Sequence, residues 1–291
     1  MTKGTIIKNI SNDYTVITNE EKSFICKPRG IFRKNNIKPL VGDHVTIDVE
    51  NNIITEIDNR KNSLIRPTVA NIDQLIIIAS CKGPDFDTNL LDKLICTAEF
   101  NRIQPVIILT KLDLLTDDEL NTLNPVFEYY KKIGYTVFKN TELEKILNII
   151  SNKISVFTGQ SGAGKSTLLN KLDSNLNIKT NEISKALGRG KHTTRHTELV
   201  NMNNGWVADT PGFSQLEFID MTPEDIRDNF IEFQELRDKC KFKDCMHKTD
   251  HLCAIREALN NGEILESRYD NYMKFISKEK FWKYQFQFLM L

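Results

Sequence analysis

The sequence predicts an α/β protein of three units, and three observations carry that expectation. The first sixty or so residues are short β-branched bursts broken by polar turns. From about residue 70, apolar runs of strand length alternate with helical stretches, and from about residue 220 the chain turns helical and crowds Cys240, Cys245 and Cys253 together. The expected units are a small β-barrel over 1–66, a doubly wound parallel sheet over 67–219 and a helical metal-binding unit over 220–291.

In the first unit, strands are expected near 5–7, 14–18, 24–26, 44–49 and 53–57. The breaks are Asn-Asp, Asn-Glu-Glu-Lys and Asn-Asn, whose side chains cap local backbone groups and tolerate left-handed conformations. Five strands match an oligonucleotide-binding (OB-type) barrel. This segment holds 11 basic against 8 acidic residues and is the only third with a net positive charge. A barrel serving as a plain spacer is the alternative. In the second unit, strands are expected near 75–79, 105–109, 154–157 and 206–208, with helices near 87–100, 117–132, 141–151 and 165–174. The third begins at Thr222-Pro223-Glu224-Asp225, a helix-capping run. Its aromatic end, Phe281 to Leu289, is open to two readings, stacking on RNA bases or packing against the metal unit.

Composition narrows the function classes. With 40% hydrophobic and 27% charged residues, and 13 Gly and 8 Pro among 291, the chain has an ordinary soluble globular balance. No apolar run approaches the roughly 20 residues of a membrane span, and Met-Thr-Lys-Gly does not begin a signal peptide, so a cytoplasmic protein without membrane contact is expected. Lys+Arg and Asp+Glu both number 39, which excludes a uniformly basic nucleic-acid binder but leaves local basic patches open.

Gly159-Gln160-Ser161-Gly162-Ala163-Gly164-Lys165-Ser166 has the G-x-x-x-x-G-K-[ST] spacing, after an expected strand and before an expected helix that continues with Thr167. Glycines there let backbone N–H groups converge on phosphates, and the helix N-terminus adds partial positive charge. Lys165 would reach the terminal phosphates and the Ser166 hydroxyl would ligate Mg²⁺. Asp209-Thr210-Pro211-Gly212 follows another short strand, where Asp209 would hold Mg²⁺ through water and the Gly212 N–H would meet the γ-phosphate. Thr110-Lys111-Leu112-Asp113 ends a third strand. A carboxylate at Asp113 can accept from guanine N1–H and N2–H₂, whereas adenine offers no N2 donor and an acceptor at N1. Lys111 would lay its stem over the base and sugar, and Thr110 stands where Asn is commoner in GTPases. Each motif has a plainer reading as a turn or helix cap.

The order of these motifs is the decisive clue. The base reader precedes the phosphate loop, which precedes Asp209 and Gly212, whereas ordinary GTPases run from phosphate loop to base reader. A circular permutation explains this. In motif content and order the chain resembles the circularly permuted RsgA family of small-ribosomal-subunit biogenesis GTPases, over essentially all 291 residues.

Between the phosphate loop and Asp209 lies a basic, glycine-rich stretch, 186–196, whose composition suits a switch. Thr193 and Thr194 are both eligible to close over Mg²⁺ and the γ-phosphate. Phe213 stands where other GTPases carry a water-orienting glutamine, and the resemblance assigns that water to His192. A solvated or RNA-contacting basic patch is the alternative for this stretch. Cys240, Cys245 and Cys253 with a histidine form a closed tetrahedral set for one structural Zn²⁺. His247 and His251 both compete for the fourth position, and the family pattern favours His247. The place expected for a guanine-contacting serine-alanine motif holds 137–141, which departs from it.

The resemblance implies a monomer that binds GTP and GDP, hydrolyses GTP, and engages the small ribosomal subunit and its rRNA through barrel and zinc unit. Two rivals are an ATP-dependent P-loop enzyme and a non-catalytic, nucleotide-dependent RNA-binding adaptor.

Overall fold

The computed structural model describes residues 1–65, 67–176, 198–209, 218–248 and 252–288, without the side chains of Asn175, Asp209 and 278–288. The barrel consists of β1 (Thr2–Ile10), β2 (Asp13–Thr18), β3 (Ser23–Pro28), β4 (His44–Asp48) and β5 (Ile53–Ile57), closed in the order β1-β2-β3-β5-β4. Alternate residues point inward, so Ile6, Tyr14, Val16, Cys26, Val45, Ile47 and Ile54 fill the interior. A short helix unanticipated from sequence, α1 (Gly30–Lys34), lies between β3 and β4 and inserts Phe32 into the same core.

A two-stranded ribbon, β6 (Ser63–Leu64) and β7 (Val69–Ala70), leads from barrel to sheet. Polar ties fix this junction. The Arg60 guanidinium donates to both oxygens of the fully buried Asp43 carboxylate at 2.7 and 2.8 Å, and the Asn71 amide donates to Gly42 O at 2.9 Å.

The central sheet holds β8 (Gln74–Ser80), β9 (Gln104–Thr110), β10 (Thr136–Lys139), β11 (Ile154–Gly159), β12 (Leu199–Met202) and β13 (Gly205–Asp209), in the order β10-β9-β8-β11-β13-β12. Every neighbouring pair is parallel except β12 with β13. The sheet is therefore mixed rather than wholly parallel, because a tight turn at Asn203 and Asn204, both left-handed, joins two adjacent strands as a hairpin. Helices α2 (Thr88–Phe100), α3 (Asp117–Lys132), α4 (Leu143–Ile150) and α5 (Lys165–Leu172) cover it. Strand β8 shows how one apolar run serves two cores. Leu75 and Ile77 pack with Leu91, Leu94 and Ile95 of α2, while Ile76 and Ile78 pack with Ile146 of α4 and Leu168 and Leu169 of α5.

The last unit is α6 (Pro223–Asp228), α7 (Ile231–Arg237), α8 (Ala254–Asn260) and the long α9 (Glu266–Phe288). Thr222 starts α6 with a reciprocal capping box, its hydroxyl accepting from Asp225 N at 3.1 Å while Asp225 accepts from Thr222 N at 2.8 Å. A third core gathers Phe230, Phe233, Tyr272, Phe275 and Ile276, and Cys96 of α2 joins it. Among the described residues, no helix is long and apolar enough to cross a membrane.

Candidate nucleotide and metal sites

Strand β11 ends at Gly159, the chain loops through 160–164, and α5 starts at Lys165. Glycine is required at the first position. Gly159 has φ of 152°, and a Cβ there would meet Ile78 O of the neighbouring strand at 2.4 Å. Gly164 caps α5 in a left-handed conformation, φ 93°. Ser166, Leu168 and Leu169 are buried, so the start of α5 is seated in the core while Ser161, Gly162 and Thr167 remain exposed. The arrangement is that of a helix N-terminus opening onto a glycine-containing loop, suited to an anion.

Thr110, at the end of β9, is buried and donates its hydroxyl to Ala163 O inside the loop at 2.6 Å. This hydroxyl thus joins the end of β9, where a base reader is expected, directly to the glycine-containing loop. Lys111 follows in a left-handed conformation, φ 59°, and its ammonium bonds to Gly83 O. Asp113 stands exposed in a one-turn 3-10 segment over Leu112–Leu114.

The segment 81–87 between β8 and α2 carries none of the nucleotide motifs, yet it touches both loops. Cys81 N donates to Thr110 O at 3.0 Å, and the Gln160 amide reaches the Asp87 carboxylate at 3.5 Å. Asp87 also caps α2, accepting from Asn89 N and Leu90 N at 2.9 and 3.1 Å. Its signal was present as Gly83-Pro84-Asp85, a turn run, followed by a capping Asp. Beside it, the Lys82 ammonium bonds both oxygens of Glu119, whose carboxyl this contact holds below its ordinary value. Burial pushes the Cys81 thiol up to about 11, which makes it a neutral packing group.

Strand β10 pairs with β9 so that Lys139 lies opposite Leu109, and Asn140 N donates to Leu109 O at 2.9 Å. The turn after β10 therefore stands beside Thr110 and Lys111, although its residues match no expected pattern. Asp209 ends β13 opposite Phe157 of β11, one strand across from the phosphate loop. His192, Thr193, Thr194 and Gly212 lie outside the described residues.

In the last unit, Cys240, Cys245, His247 and Cys253 come together with ligand atoms all within 4.8 Å of one another. Cys240 Sγ lies 3.9 Å from Cys253 Sγ, and His247 Nδ1 lies 3.7 and 3.4 Å from Cys240 and Cys253 Sγ. Tetrahedral zinc with ordinary bond lengths requires edges of about 3.8 Å between sulfurs and about 3.5 Å from sulfur to nitrogen, so this donor set fits such an ion. Burial raises the Cys253 thiol above its usual value, a penalty that a bound cation would reverse by holding the thiolate. His251 lies outside the described residues.

Comparison with known proteins agrees with this geometry. The family described as RsgA N-terminal domain matches residues 3–55, and that described as RsgA GTPase matches residues 57–219. The Oceanobacillus iheyensis protein named small ribosomal subunit biogenesis GTPase RsgA 2 is 47% identical, covering 96% of this chain and 97% of its own. The Bacillus subtilis protein named small ribosomal subunit biogenesis GTPase RsgA is 44% identical, covering 96% and 98%. The crystal structure of YloQ, described as a circularly permuted GTPase, superposes with a TM-score of 0.82 at 38% identity, covering 96% of this chain and 95% of that one. YjeQ from Thermotoga maritima gives 0.82 at 35% identity, covering 95% and 98%. With β9 and its T-K-L-D end preceding the glycine-containing loop in sequence yet bonded to it in space, this chain belongs to the RsgA GTPase family.

Proposed function

We propose that this protein hydrolyses GTP to GDP and phosphate and acts in assembly of the small ribosomal subunit, with turnover stimulated by that subunit. The observation that carries the reading is the 2.6 Å bond from Thr110 to Ala163 O, which joins a T-K-L-D base reader to a phosphate loop 53 residues away in the chain. Family membership and the names of the relatives support the ribosomal setting.

In this reading Asp113 accepts from the guanine edge and Lys111 covers the base. Backbone N–H groups of 160–164, the Lys165 ammonium and Thr167, exposed at the start of α5, would bind the phosphates. Ser166 and, through water, Asp209 would hold Mg²⁺, which when bound would neutralise phosphate charge. Gly212 would contact the γ-phosphate, His192 would orient the attacking water, and Thr193 or Thr194 would close over the phosphates. Cys240, Cys245, His247 and Cys253 would hold one Zn²⁺; four protein ligands leave it a structural role. The barrel (1–66) and the zinc unit (220–291) flank the GTPase unit (67–219) and would engage rRNA. The protein would work as a cytoplasmic monomer.

The deciding experiment measures phosphate release from GTP with and without purified small subunits. Stimulation is expected, and a rate indistinguishable from basal would reject the reading. Asp113→Asn separates the GTPase from an ATPase, because the amide presents a donor where the carboxylate accepted. It should weaken GTP selectively and admit xanthosine nucleotides, and unchanged nucleotide preference would count against Asp113 as the base reader.

A further inference from the structure

One turn of α9 touches both the metal loop and the helix that begins beside the phosphate loop. On one side, the Tyr269 hydroxyl donates to His247 O at 2.6 Å and the Tyr272 hydroxyl donates to Met246 O at 2.8 Å. Those two carbonyls belong to the metal-binding loop itself. On the other side, the buried Asn271 amide donates to Asp92 Oδ2 at 2.7 Å and to Thr88 Oγ1 at 3.2 Å, while its oxygen accepts from Asn89 at 3.0 Å. Thr88, Asn89 and Asp92 form the opening turns of α2, capped by Asp87, and Asp87 is the residue that meets Gln160 of the phosphate loop. Arg268, one turn before Tyr272, donates to Asp92 Oδ1 at 2.8 Å and grips Glu232 of α7 with two bonds at 2.8 and 2.7 Å.

Helical spacing explains how one turn serves both ends. Residues 268, 271 and 272 lie on one face, and Tyr269 is a quarter turn away, so the segment reaches α2 on one flank and the metal loop on the other. Arg268 and Asp92 are wholly buried and Asn271 nearly so. A buried polar set of this kind has few satisfied arrangements, because shifting any member strands a donor or a charge away from water. A displacement of the metal loop therefore transfers to the start of α2 rather than dissipating in soft apolar packing.

We propose that Asn271, together with Arg268, is a positioning residue that links metal binding at Cys240, Cys245, His247 and Cys253 to nucleotide binding at the phosphate loop. The inference rests on the reading that nucleotide and metal occupy these two sites. Linkage is reciprocal: whatever factor the metal contributes to nucleotide affinity, nucleotide must contribute to metal affinity.

The test uses the full, metal-loaded chain and zinc as the metal. Zinc transfer to a chromogenic chelator is titrated to equilibrium with and without saturating GDP and Mg²⁺, and GDP affinity is measured on zinc-loaded and stripped protein. Roughly fivefold or larger, equal changes are expected in both directions, within the usual range of allosteric coupling. Asn271→Ala should keep one zinc per chain and still bind GDP, while the effect of GDP on zinc retention falls towards one. Asn89→Ala, which removes only the Asn89–Asn271 bond and from the α2 side, should lower the linkage in the same direction and serves as a second, independent variant. Equal zinc retention with and without GDP in the wild type, or full linkage in both variants, would overturn the proposal. A chain that binds no GDP or no zinc at all would instead reject the underlying site assignment.

Discussion

Thr110 shows how much one atom can decide. Asparagine is commoner at this position in GTPases, and the sequence alone does not say whether the shorter threonine can make a side-chain hydrogen bond there. In the fold its hydroxyl reaches Ala163 O at 2.6 Å with Thr110 only 1% exposed, so the shorter side chain spans the gap. Thr110→Val keeps the shape and removes the donor, stranding a buried carbonyl at a cost of about 1–3 kcal/mol. If that cost falls on the nucleotide-competent loop, GDP affinity should drop about tenfold, since each 1.4 kcal/mol is a decade. Thr110→Ser, which restores the hydroxyl, should recover most of it. Equilibrium titration with a fluorescent GDP checks both, and equal affinities in the valine and wild-type proteins would remove the bond from the mechanism.

At the scale of elements, much was legible because local chemistry was unambiguous. Strands β8, β9, β11 and β13 are apolar runs, the last three ending at motif residues, and α2 through α5 fall within a few residues of their expected places. The capping run at 222–225 became a capping box. Thr222→Ala removes one half of that box, and α6 should lose about 1 kcal/mol. A lower urea midpoint with an unchanged slope would confirm this, and an unmoved midpoint would show the box to be dispensable. What escaped the sequence is equally physical. Helix α1 has only five residues, too short for a periodic pattern, and β6 and β7 have two each. Strand β10 reads Thr-Val-Phe-Lys and is only half-buried at the sheet edge, so its pairing with β9 rather than its hydrophobicity defines it. The segment 81–87 was legible as a turn and a helix cap but not as part of the site, because its partners Thr110, Lys111 and Gln160 are distant in sequence.

For the molecule as a whole, motif order revealed the permutation, but the joint between GTPase and metal unit could not be read that way. Arg268 bonds Glu232 and Asp92, 36 and 176 residues away, and no local pattern announces a buried charge whose partners are so remote. The hub sets one guanidinium between two carboxylates, with the Phe230 ring 4.4 Å from its centre and the Tyr130 hydroxyl donating to Asp92 at 2.5 Å. Burial raises the Asp92 carboxyl above its ordinary value despite its partners. Burial alone would lower Arg268, yet Glu232 and Asp92 outweigh it and hold the guanidinium protonated well above its usual range. Such a cluster adds little net stability but penalises misalignment heavily, because removing one partner leaves the others charged and dry. Arg268→Met should therefore cost about 3–5 kcal/mol, far beyond its lost packing. Replacing the set together, with Asp92→Leu, Tyr130→Phe, Glu232→Leu, Arg268→Met and Asn271→Leu, whose amide would otherwise lose its bond to Asp92, should recover most of that loss, since apolar groups of similar volume need no partners. Urea unfolding of the two variants beside the wild type measures the contrast. If the single variant is no less stable than the combined one, the hub is ordinary packing; if the combined variant is stable but no longer couples zinc to nucleotide, the charges serve alignment rather than stability.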